Sequence, residues 1–142
     1  MENKIWDKKY HVNSSMVNDE NGFAMFLGRW QPLHEGHKQL FAQALNTGKN
    51  ICIMIRDTPV SEKNPFTSEQ VKQNIEEYYS EGVKNGNVVV MVVPNITSIN
   101  FGRGVGYDII EHEPPQEIHD ISATKIREQM KKEGKIWVIK HL

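Results

Sequence analysis

Gly28-Arg29-Trp30-Gln31-Pro32-Leu33-His34-Glu35-Gly36-His37 joins a short apolar run to a helical pattern and sets two imidazoles around a glycine. Before it, Phe23-Ala24-Met25-Phe26-Leu27 is a continuous apolar run of the kind a strand buried on both faces requires. After it, Leu40, Phe41, Ala44 and Leu45 fall at helical spacing, and Gly48 stands where a left-handed cap ends a helix. Strand, glycine turn and helix follow in that order. This is where a parallel α/β protein holds a nucleotide phosphate, at the strand's carboxyl end and the helix N-terminus.

The alternation continues outward. Ile51 to Ile55 is a second buried-strand pattern, so the first unit is strand, helix, strand, and its crossover makes the strands parallel. Thr67-Ser68-Glu69-Gln70 has the form of a capping box, and Val71, Ile75, Tyr78 and Tyr79 make the stripe of a second helix that stops before Gly82. Val88 to Val93 is a third strand, closed by Pro94. The expected class is α/β: a Rossmann-like open parallel sheet with helices on both faces, in a single domain over residues 22–142. Residues 1–21 are polar and irregular and read as an N-terminal extension.

Beyond Pro94 the pattern thins. Asn100 to Tyr107 carries Gly102, Gly104 and Gly106, which suggests a loop whose backbone approaches a ligand closely. Asp120-Ile121-Ser122-Ala123-Thr124 opens a last helix, with Ile126 and Met130 four apart and Gly134 as its stop. Ile136-Trp137-Val138-Ile139 is a terminal apolar piece expected to pack as a short strand or against the core.

At 142 residues the chain fits one hydrophobic core. Seventeen Lys plus Arg against 18 Asp plus Glu, a net charge of -1, give no general attraction to nucleic acid or to an anionic membrane. A polyanion must be held by a local site. No basic stripe with interleaved aromatics argues for nucleic acid as partner. Cys52 lies inside an apolar run and is expected as a buried thiol, with no disulfide inside the chain. No signal-like apolar core opens the sequence and no run approaches the roughly 20 residues of a membrane span. The expectation is a soluble cytoplasmic protein without a membrane partner. The apolar third strand and Trp137 leave room for a homo-oligomer.

Two constellations carry chemistry. His34 and His37, three apart, could share one face of a first helical turn, aimed at what lies at the helix N-terminus. Zinc is disfavoured, because the metalloprotease helix needs its histidines four apart with a glutamate between as base. Two ordinary histidines remain the alternative, and the position after a strand, with Pro32 and Gly36 shaping the turn, argues against it. The second constellation, Ile121 to Arg127, brings Ser122, Thr124, Lys125 and Arg127 to a helix start, where backbone N–H groups, the dipole and cations make a phosphate site. A Ser-capped helix with solvated Lys125 and Arg127 is the bland alternative.

Taken together, the two segments resemble the signatures of the nucleotidyltransferase superfamily, which includes nicotinamide-mononucleotide adenylyltransferases and glycerol-phosphate or phosphocholine cytidylyltransferases. Gly28 to His37 is similar to the first signature, Gly-x-Phe-x-Pro-x-His-x-Gly-His, with Trp30 in the phenylalanine position, and Ile121 to Arg127 matches the second, Ile-Ser-x-Thr-Lys-Ile-Arg, throughout. The resemblance covers about Gly22 to Met130. Gly28 to Pro32 and Asn64-Pro65-Phe66-Thr67 also look like segments of archaeal-type nicotinamide-mononucleotide adenylyltransferases. Between Pro94 and Ile121 the chain is shorter than those enzymes, where much of their acceptor pocket lies.

The resemblance implies a nucleotidyltransferase that moves a nucleoside monophosphate, AMP favoured, from an NTP to a small phosphorylated acceptor and releases pyrophosphate. His34 and His37 would serve the transferring phosphates, and Ser122, Thr124 and Arg127 would hold the β- and γ-phosphates. Gly28, Arg29, Trp30, Gly36 and Lys125 would line the nucleotide, with Lys125 otherwise merely solvated. Mg2+ would arrive on the triphosphate, held by phosphate and water with no dedicated protein ligands. Arg56 and Asp57, after the second strand, are weaker candidates that a surface ion pair would also explain. Lys63 could close over the triphosphate, and Arg103 could bind phosphates or acceptor. His112 and His119 read as solvated. The alternatives are a CTP-dependent cytidylyltransferase acting on an alcohol phosphate, and a non-catalytic nucleotide-binding regulatory module. A class I aminoacyl-tRNA synthetase shares the ancestral fold, but the chain is too short for its other domains.

Overall fold

Ile51, Ile53 and Ile55 are fully buried while Asn50, Cys52, Met54 and Arg56 between them are half-exposed, a period of two that marks a strand with one covered face. The computed structural model describes residues 7–12, 22–100, 108–119 and 123–134. In chain order its elements are β1 (Asp7–Val12), β2 (Phe23–Gly28), α1 (Glu35–Leu45), β3 (Asn50–Arg56), α2 (Ser68–Tyr78), α3 (Ser80–Asn85), β4 (Val88–Val93), β5 (Ile109–Glu113), α4 (Gln116–His119) and α5 (Ala123–Lys132).

Strands β2, β3 and β4 form a parallel sheet in that spatial order, with Phe26 opposite Ile53 and Ile53 opposite Val90. The expected open parallel sheet with crossover helices is the observed one, in a single small domain. Neighbouring strands taken in sequence with right-handed crossovers send each connecting helix to the same side. Helices α1 and α2 accordingly touch: the Phe41 and Tyr79 rings lie 6.1 Å apart, and Lys38 Nζ sits 3.9 Å above the Tyr78 ring. Phe41 and Ala44 of α1 and Val71 and Ile75 of α2 close over Ile51, Ile53, Ile55, Val88 and Val90 as one core. Each large side chain buried there contributes about 1.5–3 kcal/mol.

The opposite face carries Phe23 and Met25, each 48% exposed, and Val89 and Met91 at 39% and 40%. The strands were expected to be buried on both faces, yet α1, α2 and α3 cover only one. Cys52 lies on this second face, half-exposed rather than buried, with its Sγ 3.7 Å from Met91 Sδ.

Three local expectations change. The second helix stops at Tyr78, and Gly82 lies inside α3 instead of ending a helix. The reason is packing, since a Cβ on Gly82 would stand 2.6 Å from Val88 Cγ2, and it is Gly86, at φ 84°, that terminates the segment. Residues 7–12, read as part of an irregular extension, form β1 and pair antiparallel with β5. His112 is half-buried on β5 rather than solvated, and His119 ends α4. Helix α5 and its stop at Gly134, φ 75°, agree with the pattern. Arg103 and its glycines, Ser122, and Ile136 to Ile139 lie outside the described residues.

Candidate functional site

The carboxyl ends of β2 and β3 open into residues 29–34 and 57–67, and the first of these loops is shaped by one indole. Trp30 takes a left-handed backbone, φ 51°, which is unfavourable for a bulky residue. Its side chain is 7% exposed, donates from Nε1 to the Met54 carbonyl at 3.0 Å, and meets the Phe41 ring edge-on at 5.0 Å. Gly28 must be glycine beneath it: a Cβ there would lie 2.7 Å from Trp30 Cζ2. The hydrogen bond is available to an indole and not to the phenyl ring of the family pattern.

Trp30 also stands edge-on to His37, with ring centroids 4.9 Å apart, so the anchored indole fixes one wall around that imidazole. His34 is the N-cap of α1 and His37 its N3 residue. The His34 amide donates to His37 Nδ1 at 3.2 Å, and the His37 amide donates to His34 Nδ1 at 3.4 Å. This is a capping box built from two imidazoles, and it accounts for the three-residue spacing. The rings stack with centroids 3.6 Å apart and 19° between planes. Two stacked imidazolium cations would repel. Burial, with the neighbouring His34, pushes His37 down to about 3, and burial also lowers His34, offset in part by a contact with its own backbone and reinforced by the charge of Lys38. Both rings are therefore neutral at pH 7. Because each Nδ1 accepts, each proton sits on Nε2, and the pair supplies two neutral Nε2–H donors at a helix N-terminus.

Gln31 ties this loop to the other two parts of the site. It is 4% exposed, its Nε2 donates to the Phe66 carbonyl at 2.9 Å, and its Oε1 accepts from the Phe66 amide at 2.9 Å. Its own carbonyl accepts from Arg127 Nη1 at 2.7 Å. Arg127 Nη2 also donates to Thr124 Oγ1 at 3.3 Å, and Lys131 Nζ lies 3.2 Å from Glu62 Oε1. Helix α5 is thus fastened to both loops. The Arg127 pKa is lowered by burial and then by the charge of exposed Arg29, so two guanidinium cations share one neighbourhood. Arginine remains charged there, and such a pair attracts phosphate oxygens.

The structure thus gathers Gly28, Arg29, Trp30, His34, Gly36, His37, Thr124 and Arg127, with Lys125 exposed on the same helix. Arg56 donates from Nε and Nη2 to Asn95 Oδ1 at 3.2 and 2.9 Å, while Asp57 accepts from Ser68 Oγ at 2.9 Å. Lys63 is exposed on the turn closed by the Ser61 and Asn64 backbones. Sequence reasoning missed Gln31, whose polarity gave no sign of burial. The available signal was that its segment and the one containing Phe66 resembled the same relatives. Among the described residues no three His, Cys, Asp or Glu side chains are grouped to hold a metal, and no helix is long and apolar enough to cross a membrane.

A family model described as cytidylyltransferase-like matches residues 25–110. A nicotinamide-nucleotide adenylyltransferase from Thermococcus sibiricus is 32% identical over 75 residues, 51% of this chain and 40% of the relative. The chain therefore spans less than half the length of that relative. Among solved structures, a bifunctional NMN adenylyltransferase/ADP ribose pyrophosphatase from Francisella tularensis, complexed with AMP and a manganese ion, is 36% identical over 52% of this chain and 23% of its own, with a TM-score of 0.45. A second structure of that protein gives 36% identity over 52% and 22%, with a TM-score of 0.44.

Proposed function

The chain belongs to the cytidylyltransferase-like family, and on that premise we propose that it is a nucleotidyltransferase that moves a nucleoside monophosphate from an NTP to a phosphate-bearing small molecule. The observation that carries the reading is the neutral, mutually capped His34 and His37 pair, on a loop whose main chain Arg127 reaches across the molecule. An acceptor phosphate oxygen attacks the α-phosphorus, a new P–O bond forms, and the bond to the β-phosphate oxygen breaks to release pyrophosphate. An anionic acceptor needs no strong base, so the residues act by position and charge. The Nε2–H donors of His34 and His37 stabilise charge on the transferring phosphate. Arg127, with Thr124, Ser122 and Arg29, holds the β- and γ-phosphates, and Lys125, Arg56, Lys63 and Arg103 are weaker contacts. Magnesium comes in as part of the triphosphate substrate.

AMP is the favoured group. Support comes from the likeness of Gly28 to Pro32 and Asn64 to Thr67 to archaeal-type enzymes and from the adenylyltransferase of Thermococcus sibiricus. The test is a matrix of ATP, CTP, GTP and UTP, each with Mg2+, against nicotinamide mononucleotide, glycerol 3-phosphate, phosphocholine, phosphopantetheine and sugar phosphates, read by pyrophosphate release. Activity with ATP and nicotinamide mononucleotide is the expected result. Turnover confined to CTP and an alcohol phosphate reverses the choice of nucleotide. Triphosphate binding without pyrophosphate from any pair makes the chain a binding module and overturns the catalytic reading.

A further inference from the structure

We propose that Gln31 is a positioning residue for triphosphate recognition, setting the place of Arg127 by clamping the loop that carries its acceptor carbonyl. The inference rests on the function proposed above and deepens it. The side-chain amide of Gln31 is bonded on both sides to one peptide backbone, donating to the Phe66 carbonyl and accepting from the Phe66 amide, each at 2.9 Å. A 4% exposed primary amide held at both ends has one orientation, so the backbone of Gln31 is pinned to the segment before α2. The carbonyl of this same pinned residue receives Arg127 Nη1 at 2.7 Å. Lys131 and Glu62 join the same helix, at 3.2 Å, to the segment before α2 that Gln31 clamps. Among the described residues the Arg127 guanidinium has one other hydrogen-bond partner, the exposed Thr124 hydroxyl. Removing the Gln31 amide leaves the carbonyl present but free to shift, and the cation shifts with it.

A double-mutant cycle with calorimetric binding of Mg·ATP and Mg·CTP tests this. Gln31→Leu should weaken triphosphate binding by about tenfold in the unaltered background and by less than about twofold in an Arg127→Ala background, because neighbours that act through one contact do not add. Equal losses in both backgrounds would mean that Gln31 merely supports the fold and would overturn the proposal. Gln31→Glu carries the same cycle if the leucine variant does not fold. Its carboxylate still accepts from the Phe66 amide but faces the Phe66 carbonyl with an oxygen, and on protonation it regains a donor. Relative to the unaltered protein at each pH, its triphosphate affinity should recover as pH falls through the carboxyl titration, and a flat ratio counts against the clamp. If the unaltered protein binds no triphosphate, the functional reading falls and this inference with it. If Arg127→Ala weakens binding while Gln31→Leu and Gln31→Glu do not, only this inference fails.

Discussion

At His37 a single side chain serves both the fold and the proposed chemistry, and the two roles can be separated. Its Nδ1 closes the capping box of α1, as the Gln70 side chain does in α2, where Thr67 and Gln70 exchange the same two bonds at 2.8 and 3.1 Å. His37→Gln keeps a cap and an amide N–H, so it should lose less activity than His37→Ala, whose kcat should fall by about 10² with the triphosphate KM little changed. Pyrophosphate release checks it, and near-normal turnover of His37→Ala and of His34→Ala would remove the histidines from the mechanism. The same residue makes a pH prediction. Its folded pKa, about 3, lies below the unfolded value near 6.5, so the unfolded chain binds more protons between them. The stability from keeping His37 neutral is complete above about pH 6.5 and is lost toward pH 3, by up to about 1.4 kcal/mol per unit. Urea midpoints from pH 7 to 4 should fall more steeply for the unaltered protein than for His37→Gln, and identical slopes would contradict the buried neutral imidazole.

Among the elements, α3 shows where local preference and packing conflict. Replacing an interior helical glycine by alanine gains up to about 1 kcal/mol of helix propensity. At Gly82 the new methyl would stand 2.6 Å from Cγ2 of Val88, which is 3% exposed, β-branched and fixed at the start of β4. Overpacking of that kind costs about 1–3 kcal/mol, so Gly82→Ala should lower stability despite the better helix former. Pairing it with Val88→Ala should recover more than additivity allows, measured by denaturant unfolding. A stabilised Gly82→Ala would show that β4 moves away at little cost. The same conflict explains the misplaced helix end: a glycine at the end of an amphipathic stripe reads as a stop, and only the sheet behind it reveals a close approach.

Across the whole molecule, what could be read in the chain were the features with local periodicity. The β2-to-β4 unit with α1 and α2 between its strands announces itself by apolar runs, a capping box and helical spacing, and the two histidines stand out at its first turn. Pairing of β1 with β5 joins Asp7–Val12 to Ile109–Glu113 across most of the sequence, and polar strands such as Asp-Lys-Lys-Tyr-His-Val carry no alternation to announce it. That α1, α2 and α3 all lie on one face of the sheet follows from strand order, which the sequence does not display. The Gln31 hub was illegible for the same reason, since Phe66 and Arg127 are 35 and 96 residues away. These long-range fastenings yield the last prediction. Because α5 is held to the two loops by Arg127 and Lys131, a triphosphate bound between Arg127 and the histidine loop adds contacts on both sides of that junction. Binding at about 100 times Kd stabilises the bound state by about 2.7 kcal/mol. The backbone amides of α5 should therefore gain hydrogen-exchange protection on adding Mg·ATP together with those of α1, and the gain at α5 should disappear in Arg127→Ala. Protection confined to α1 with saturating triphosphate would mean that the phosphates are held by the histidine loop alone.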